Sequence, residues 1–136
     1  MIWNIKRVIF MNRHELIIKL EVRKNQLNIT LENIAKLSGL GLRTVNRFFA
    51  GENVKLNTLE KLTNLLGLDF SGNEELNLSE LQEQRAIIKA EFMASLVQTT
   101  SALEEQGLDE ENLNRLINNF KKQFLDGDYQ DRLWVA

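Results

Sequence analysis

From about Asn12 onward, apolar side chains recur at three- and four-residue steps, and the pattern is punctuated by glycines, never by a proline. That period belongs to an α-helix with one buried face. Proline, which would bend or end such a helix, is absent from all 136 residues. Runs rich in β-branched residues are scarce, so strands have little to build on. The pattern predicts an all-α protein.

The first helix is expected over 12–27, with Leu16, Ile17, Leu20, Val22 and Leu27 as its apolar positions. Thr30 suits the N-cap of a short second helix whose buried face is Leu31, Ile34, Ala35 and Leu37. Gly39 and Gly41 bracket a turn. A third helix from about Leu42 to Phe49 then buries Val45 and either Phe48 or Phe49, with Gly51 as its C-cap. Asn57 with Glu60 three residues on has the form of a capping box for a fourth helix, Thr58–Leu66, which Gly67 stops.

The polar, glycine-containing stretch DFSGNEELN, residues 69–77, reads as a linker. Beyond it Ser79 can cap a long helix to about Glu105, with Leu81, Ile88, Phe92, Leu96 and Leu103 near one stripe. Gly107 ends it. Asp109 caps a last helix carrying Leu113, Leu116, Ile117, Phe120 and Phe124, closed by Gly127, and a tail follows with Trp134 exposed. The organisation expected is an N-terminal appendage of unassigned role (1–11), a first helical domain (12–70), a linker (71–78) and a helical hairpin region (79–136).

Composition removes several classes of function. Without cysteine there are no disulfides and no thiolate metal sites. His14, the single histidine, sits in a predicted helix among charged and apolar residues and reads as structural. No apolar run approaches the roughly 20 residues that span a bilayer, and the N-terminal MIWNIKRVIF has charges inside its apolar run, so a cytoplasmic protein is expected. No G-x-x-x-x-G-K-[ST] loop, H-E-x-x-H pair or Ser/His/Asp set appears, so no enzyme, metal or cofactor is expected. The net charge of −2 conceals a split: residues 1–70 hold 11 basic and 6 acidic residues (+5), residues 71–136 hold 6 and 13 (−7). A basic front suits a polyanion and an acidic back faces something else.

The stretch LENIAKLSGLGLRTVNRFFAG, residues 31–51, breaks one helix at two glycines and at once starts another whose outward side chains include Arg43, Thr44, Asn46 and Arg47. Two helices joined by a tight glycine-containing turn have the geometry of a helix-turn-helix. Ala35 is small where the helices approach, Gly39 can take a positive φ, and Val45 anchors the second helix. On these residues Thr30–Asp69 resembles the phage repressor/Cro (Xre-like) helix-turn-helix family. The resemblance implies that Leu42, Arg43, Thr44 and Arg47 meet base edges in the major groove of double-stranded DNA, with Asn46 flanking them. Arginine can donate two hydrogen bonds to guanine O6 and N7. Lys36, Lys55 and the amides at the start of the second helix are candidates for phosphate contacts. The chain departs from the family in having Leu31 where a glutamine is usual, and Phe49 where an acidic residue often pairs with a base on the first helix.

For the acidic half two readings stand side by side. The long helix and its partner can form a dimerisation hairpin, since helix-turn-helix proteins commonly bind as dimers to half-sites about 34–36 Å apart. Alternatively, the segment from Thr99 resembles the inhibitory segment of antitoxins that silence Fic-type AMP-transferase toxins, with Thr100 and Glu104, or Ser101 and Glu105, as the Ser/Thr and inhibitory Glu. Neither register has the Gly or Asn that follows in that family. The expected function is a sequence-specific, repressor-type, homodimeric DNA-binding regulator, with an antitoxin role joining both ideas. The competing class is a protein-interaction module or toxin inhibitor with little DNA binding.

Overall fold

The structure is a computed structural model that describes the backbone of residues 13–103 and 108–136, and all side chains there except those of 101–103. The appendage at 1–11, the helix start at Asn12 and the helix ends near Glu105 and Gly107 lie outside the described residues. The chain falls into two compact units that divide between Leu78 and Ser79.

The first unit contains α1 (Arg13–Leu27), α2 (Leu31–Ser38), α3 (Leu42–Phe49) and α4 (Leu56–Leu66). α2 packs on α3 and α4, and α1 packs on α4 and α3. Leu16, Leu20 and Leu27 from α1, Ile34 from α2, Val45 and Phe48 from α3, and Leu62 and Leu66 from α4 form its core. His14 is exposed. α1 ends on Asn28 at φ 58°, one of the few residues besides glycine that enter the left-handed region readily. Thr30 caps α2 as expected, its hydroxyl accepting from the Asn33 N–H at 3.1 Å.

Three expectations for this unit are corrected. Val22 is half exposed rather than core. The inward stripe of α1 runs Leu16, Leu20, Arg23, Leu27 at steps of four, three and four, which turns Val22 to the opposite side. Arg23 can lie inside because Nη2 donates to the Leu76 carbonyl at 3.1 Å and pairs with Glu74 at 2.9 Å. α4 starts at Leu56 with Lys55 at its N-cap and no side-chain capping bond, so the Asn57–Glu60 capping box does not form. The C-cap of α3 is Ala50, and Gly51 follows it at φ 91°.

The stretch expected to be a linker is heavily hydrogen-bonded within the first unit. Asp69 Oδ1 accepts from the N–H groups of Ser71 (2.8 Å) and Asn73 (2.9 Å), and the Gly67 carbonyl accepts from Glu75 (2.9 Å) and Leu76 (3.1 Å). An Asx turn of this kind satisfies the backbone locally, and Arg23 ties its far end to α1.

The second unit is a helical hairpin of α5 (Leu78–Leu103) and α6 (Glu110–Asp126), with a 3₁₀ turn at Gln130–Arg132. Lys121 meets Glu83 at 2.8 Å, and Gln98 exchanges hydrogen bonds with the Leu108 backbone at 3.0 and 3.2 Å. These contacts step in opposite directions along the two helices, so the pair is antiparallel. Asp109 caps α6 by accepting from the Asn112 N–H at 2.8 Å. α5 begins one residue before its expected cap, so Ser79 lies in the first turn.

Two larger corrections fall in this unit. Of the expected stripe on α5, Leu81 is buried, but Ile88, Phe92 and Leu96 are exposed at 57%, 60% and 50%. The buried positions are Ala86, Ala90 and Ala94. Trp134, expected on the surface, is buried. Arg85 lies over its ring at 5.9 Å and donates from Nε to the Leu133 carbonyl (2.9 Å) and from Nη2 to that of Val135 (3.1 Å). Among the described residues there are six α-helices and no strand beyond an isolated Leu68–Glu74 bridge, an all-α fold.

Candidate nucleic-acid interface

The corner between α2 and α3 is built by a few residues. Gly39 takes φ 70°, ψ 25°, and the Leu40 N–H reaches back to the Ala35 carbonyl at 2.9 Å. That bond ends α2 and sends the chain off its axis within two residues. Ala35 is buried at the crossing, where a longer side chain would hold the helices apart. α3 then starts at Leu42 after a cap, Gly41, that adds no side chain.

Val45 and Phe48 point into the core, at 0% and 1% exposure. Their burial turns Arg43, Asn46, Arg47 and Ala50, at three- and four-residue steps, to the solvent side. A shallow concavity of about 480 Å³ is lined by Leu42, Arg43, Asn46, Arg47, Ala50 and Glu52. Four of the residues named from the sequence are therefore together: Leu42, Arg43, Asn46 and Arg47. Thr44 is half-buried and outside this concavity. Lys36, in the last turn of α2, and Lys55, at the N-cap of α4, are exposed but do not line it either.

Glu52 was not singled out from the sequence. Gly51 folds the chain back after α3, so the Glu52 N–H donates to the Arg47 carbonyl at 3.0 Å and its carboxylate lies 3.8 Å from Arg47 Nε. The one signal in the sequence was a glycine next to an acid directly after the helix. Both side chains are half exposed or more, a setting in which an ion pair adds little stability. What it does is place an acceptor among donors. The surface thus offers two guanidinium forks and one carboxamide, groups able to read guanine and adenine edges, beside a carboxylate that repels phosphate.

Phe49, at the position where the family often carries an acid, packs its ring edge-on against Phe48 with centroids 5.1 Å apart. The α1 arginine that such an acid could have met, Arg23, pairs with Glu74 instead. In the second unit the Thr100 hydroxyl donates to the Leu96 carbonyl at 3.0 Å, an ordinary helical back-bond. The side chains of Ser101, Glu104 and Glu105 lie outside the described residues. Among the described residues no cluster of His, Asp or Glu is placed to hold a metal ion, and no helix is long and apolar enough to cross a membrane.

An exposed arginine-bearing helix, entered from a tight left-handed turn off a short capped helix, defines a helix-turn-helix module. Comparison with known families agrees: residues 20–73 match the family described as Helix-turn-helix. Residues 20–73 of the first unit are thus similar to a helix-turn-helix DNA-binding regulatory domain, consistent with the resemblance to the repressor/Cro (Xre-like) kind. The match ends at Asn73, inside the Asp69 turn, so the domain takes in part of the stretch expected as linker. Neither curated proteins nor solved structures gave a match. The likeness of the segment from Thr99 to Fic antitoxins gains no support from these comparisons.

Proposed function

We propose that the protein is a sequence-specific, repressor-type transcription regulator that binds double-stranded DNA as a homodimer. α3 lies in the major groove, where Arg43 and Arg47 donate to guanine edges, Asn46 reads an adjacent base, and Leu42 and Thr44 supply apolar or methyl contact. Lys36 and Lys55 bind phosphate, adding affinity that carries no sequence information. The observation that carries this reading is the shared outward face of Leu42, Arg43, Asn46 and Arg47 on the second helix of the corner. The +5 charge of residues 1–70 supports it, since the acidic remainder masks that charge in the whole-chain value.

The test begins with selection of a preferred duplex from a random pool. Arg43→Ala and Arg47→Ala should then each weaken binding to that duplex by about 5- to 150-fold, the equivalent of about 1–3 kcal/mol per bidentate contact. Thermal unfolding should hardly move, because both side chains are on the surface. If no sequence is enriched, or if both variants bind as the parent does, α3 does not read bases and a protein-interaction role takes its place.

A further inference from the structure

α5 is apolar on two opposite sides. Ala86, Ala90 and Ala94 are buried, so that side is already covered. Ile88, Phe92 and Leu96 repeat every four residues on the other side and stand open to solvent by half or more. From Phe92 to Leu103 the helix has no charged residue. At the chain's average of 26%, twelve residues would hold about three. Loss of charge around an exposed aromatic is the composition of an interface core, not of a solvated helix.

We propose that this face of α5 is where a second copy of the chain seats, antiparallel, with the two-fold axis passing at Phe92. The proposal rests on the homodimer put forward above and names its seam. Area supports it. The exposed parts of Ile88, Phe92 and Leu96 amount to roughly 300 Å² of apolar surface, so two copies cover roughly 600 Å². A small stable interface of about 1,200 Å², rather more than half of it apolar, needs about that much.

Charge selects the direction. Residues 71–136 carry −7, so two such surfaces repel wherever their acids oppose each other. The Ile88–Phe92–Leu96 stripe carries no acid, so it is where they can meet without that opposition. A two-fold interface must also be self-complementary, and here an Ile and a Leu of equal volume flank Phe92 at four residues on either side. Antiparallel pairing sets Ile88 against Leu96 of the partner subunit, and it sets Lys89 and Arg85 against uncharged Ser95 and Thr99 of the partner subunit. Parallel pairing would set Lys89 against its own copy, and Arg85 likewise.

The experiment is sedimentation equilibrium on the full chain and on Ile88→Lys, Leu96→Glu and the double variant, with circular dichroism to confirm retained helix. The parent should be dimeric. Each single variant should dissociate by about 100-fold or more, because symmetry counts each buried charge twice. In the double variant every new lysine meets a new glutamate across the axis, and dimer should return. A parent that stays monomeric, single variants that stay dimeric, or a double variant no better than the singles would each overturn the proposal. Duplex binding by the parent is measured alongside. A dimer that survives the single variants and still binds DNA defeats only the seam, whereas a parent that retains no duplex defeats the function proposed above.

Discussion

Replacing Gly39 by alanine isolates one physical term. The residue sits at φ 70°, ψ 25°, and a Cβ built there meets nothing within 4 Å. Space is therefore not the issue, and the whole effect comes from the backbone. An L-residue in the left-handed region costs about 1–2 kcal/mol, and the stiffer unfolded chain of the alanine variant returns part of it. A net loss near 1 kcal/mol follows, confined to the first unit. In native-state hydrogen exchange of the full chain, the most protected amides of α3 and α4 should exchange about five-fold faster. Gly39→Asn should lie between the parent and Gly39→Ala, since Asn28 already occupies φ 58° in this same fold. Gly39→Val, branched at Cβ, should be worst. An alanine variant as stable as the parent, or asparagine ranking below alanine, would refute the backbone argument. Gly127 offers the opposite case: its φ of −114° suits any residue, but a Cβ would lie 2.9 Å from the Gln123 Cα, so alanine there acts through crowding.

Other consequences can be checked separately. Glu52→Gln removes the carboxylate 3.8 Å from Arg47; binding to unrelated duplexes should rise with a steeper salt dependence, while preference for the selected sequence falls and melting stays put. Arg23→Met keeps most of the buried volume but strips the Leu76 carbonyl and Glu74 of their partner, for an expected loss of about 1–3 kcal/mol and faster exchange at Glu75 and Leu76. Lys121 holds the Glu83 carboxyl below its ordinary value, first through their hydrogen bond and then through charge. A depressed carboxylate stabilises above its unfolded pKa and loses that contribution as pH falls through the folded one. Acid titration below the ordinary glutamate range should therefore loosen the α5–α6 pair, and Glu83→Gln should flatten that step, as read by exchange at Lys121 and Phe124.

Local chemistry was legible without any structure. Thr30 and Asp109 cap their helices, Gly39 and Gly67 end theirs in the left-handed region, and the corner follows from them. Much of the proposed DNA face was legible too, because burial of Val45 and Phe48 forces Arg43, Asn46 and Arg47 outward whatever surrounds the unit. Glu52 escaped notice because its approach to Arg47 depends on the turn at Gly51, two residues past the helix pattern. Asn57 and Ser79 misled for a related reason. Good capping residues are also tolerated inside a first turn, and both helices start N-terminal to them.

The order of residues alone determined that this chain is helical, where most of its helices stop, and which way the arginines of α3 face, since each depends on neighbours within about two turns. Contacts distant along the chain decided the rest. Arg23 is buried because Glu74 and the Leu76 carbonyl come to it from some fifty residues away, and Trp134 because Arg85 bridges to the backbone on either side of it. Past Leu81, the small Ala86, Ala90 and Ala94 of α5 are covered, and the larger Ile88, Phe92 and Leu96 are not. Periodicity reports that a face is apolar; which of two apolar faces is covered depends on what lies against it, and only the tertiary structure supplies that.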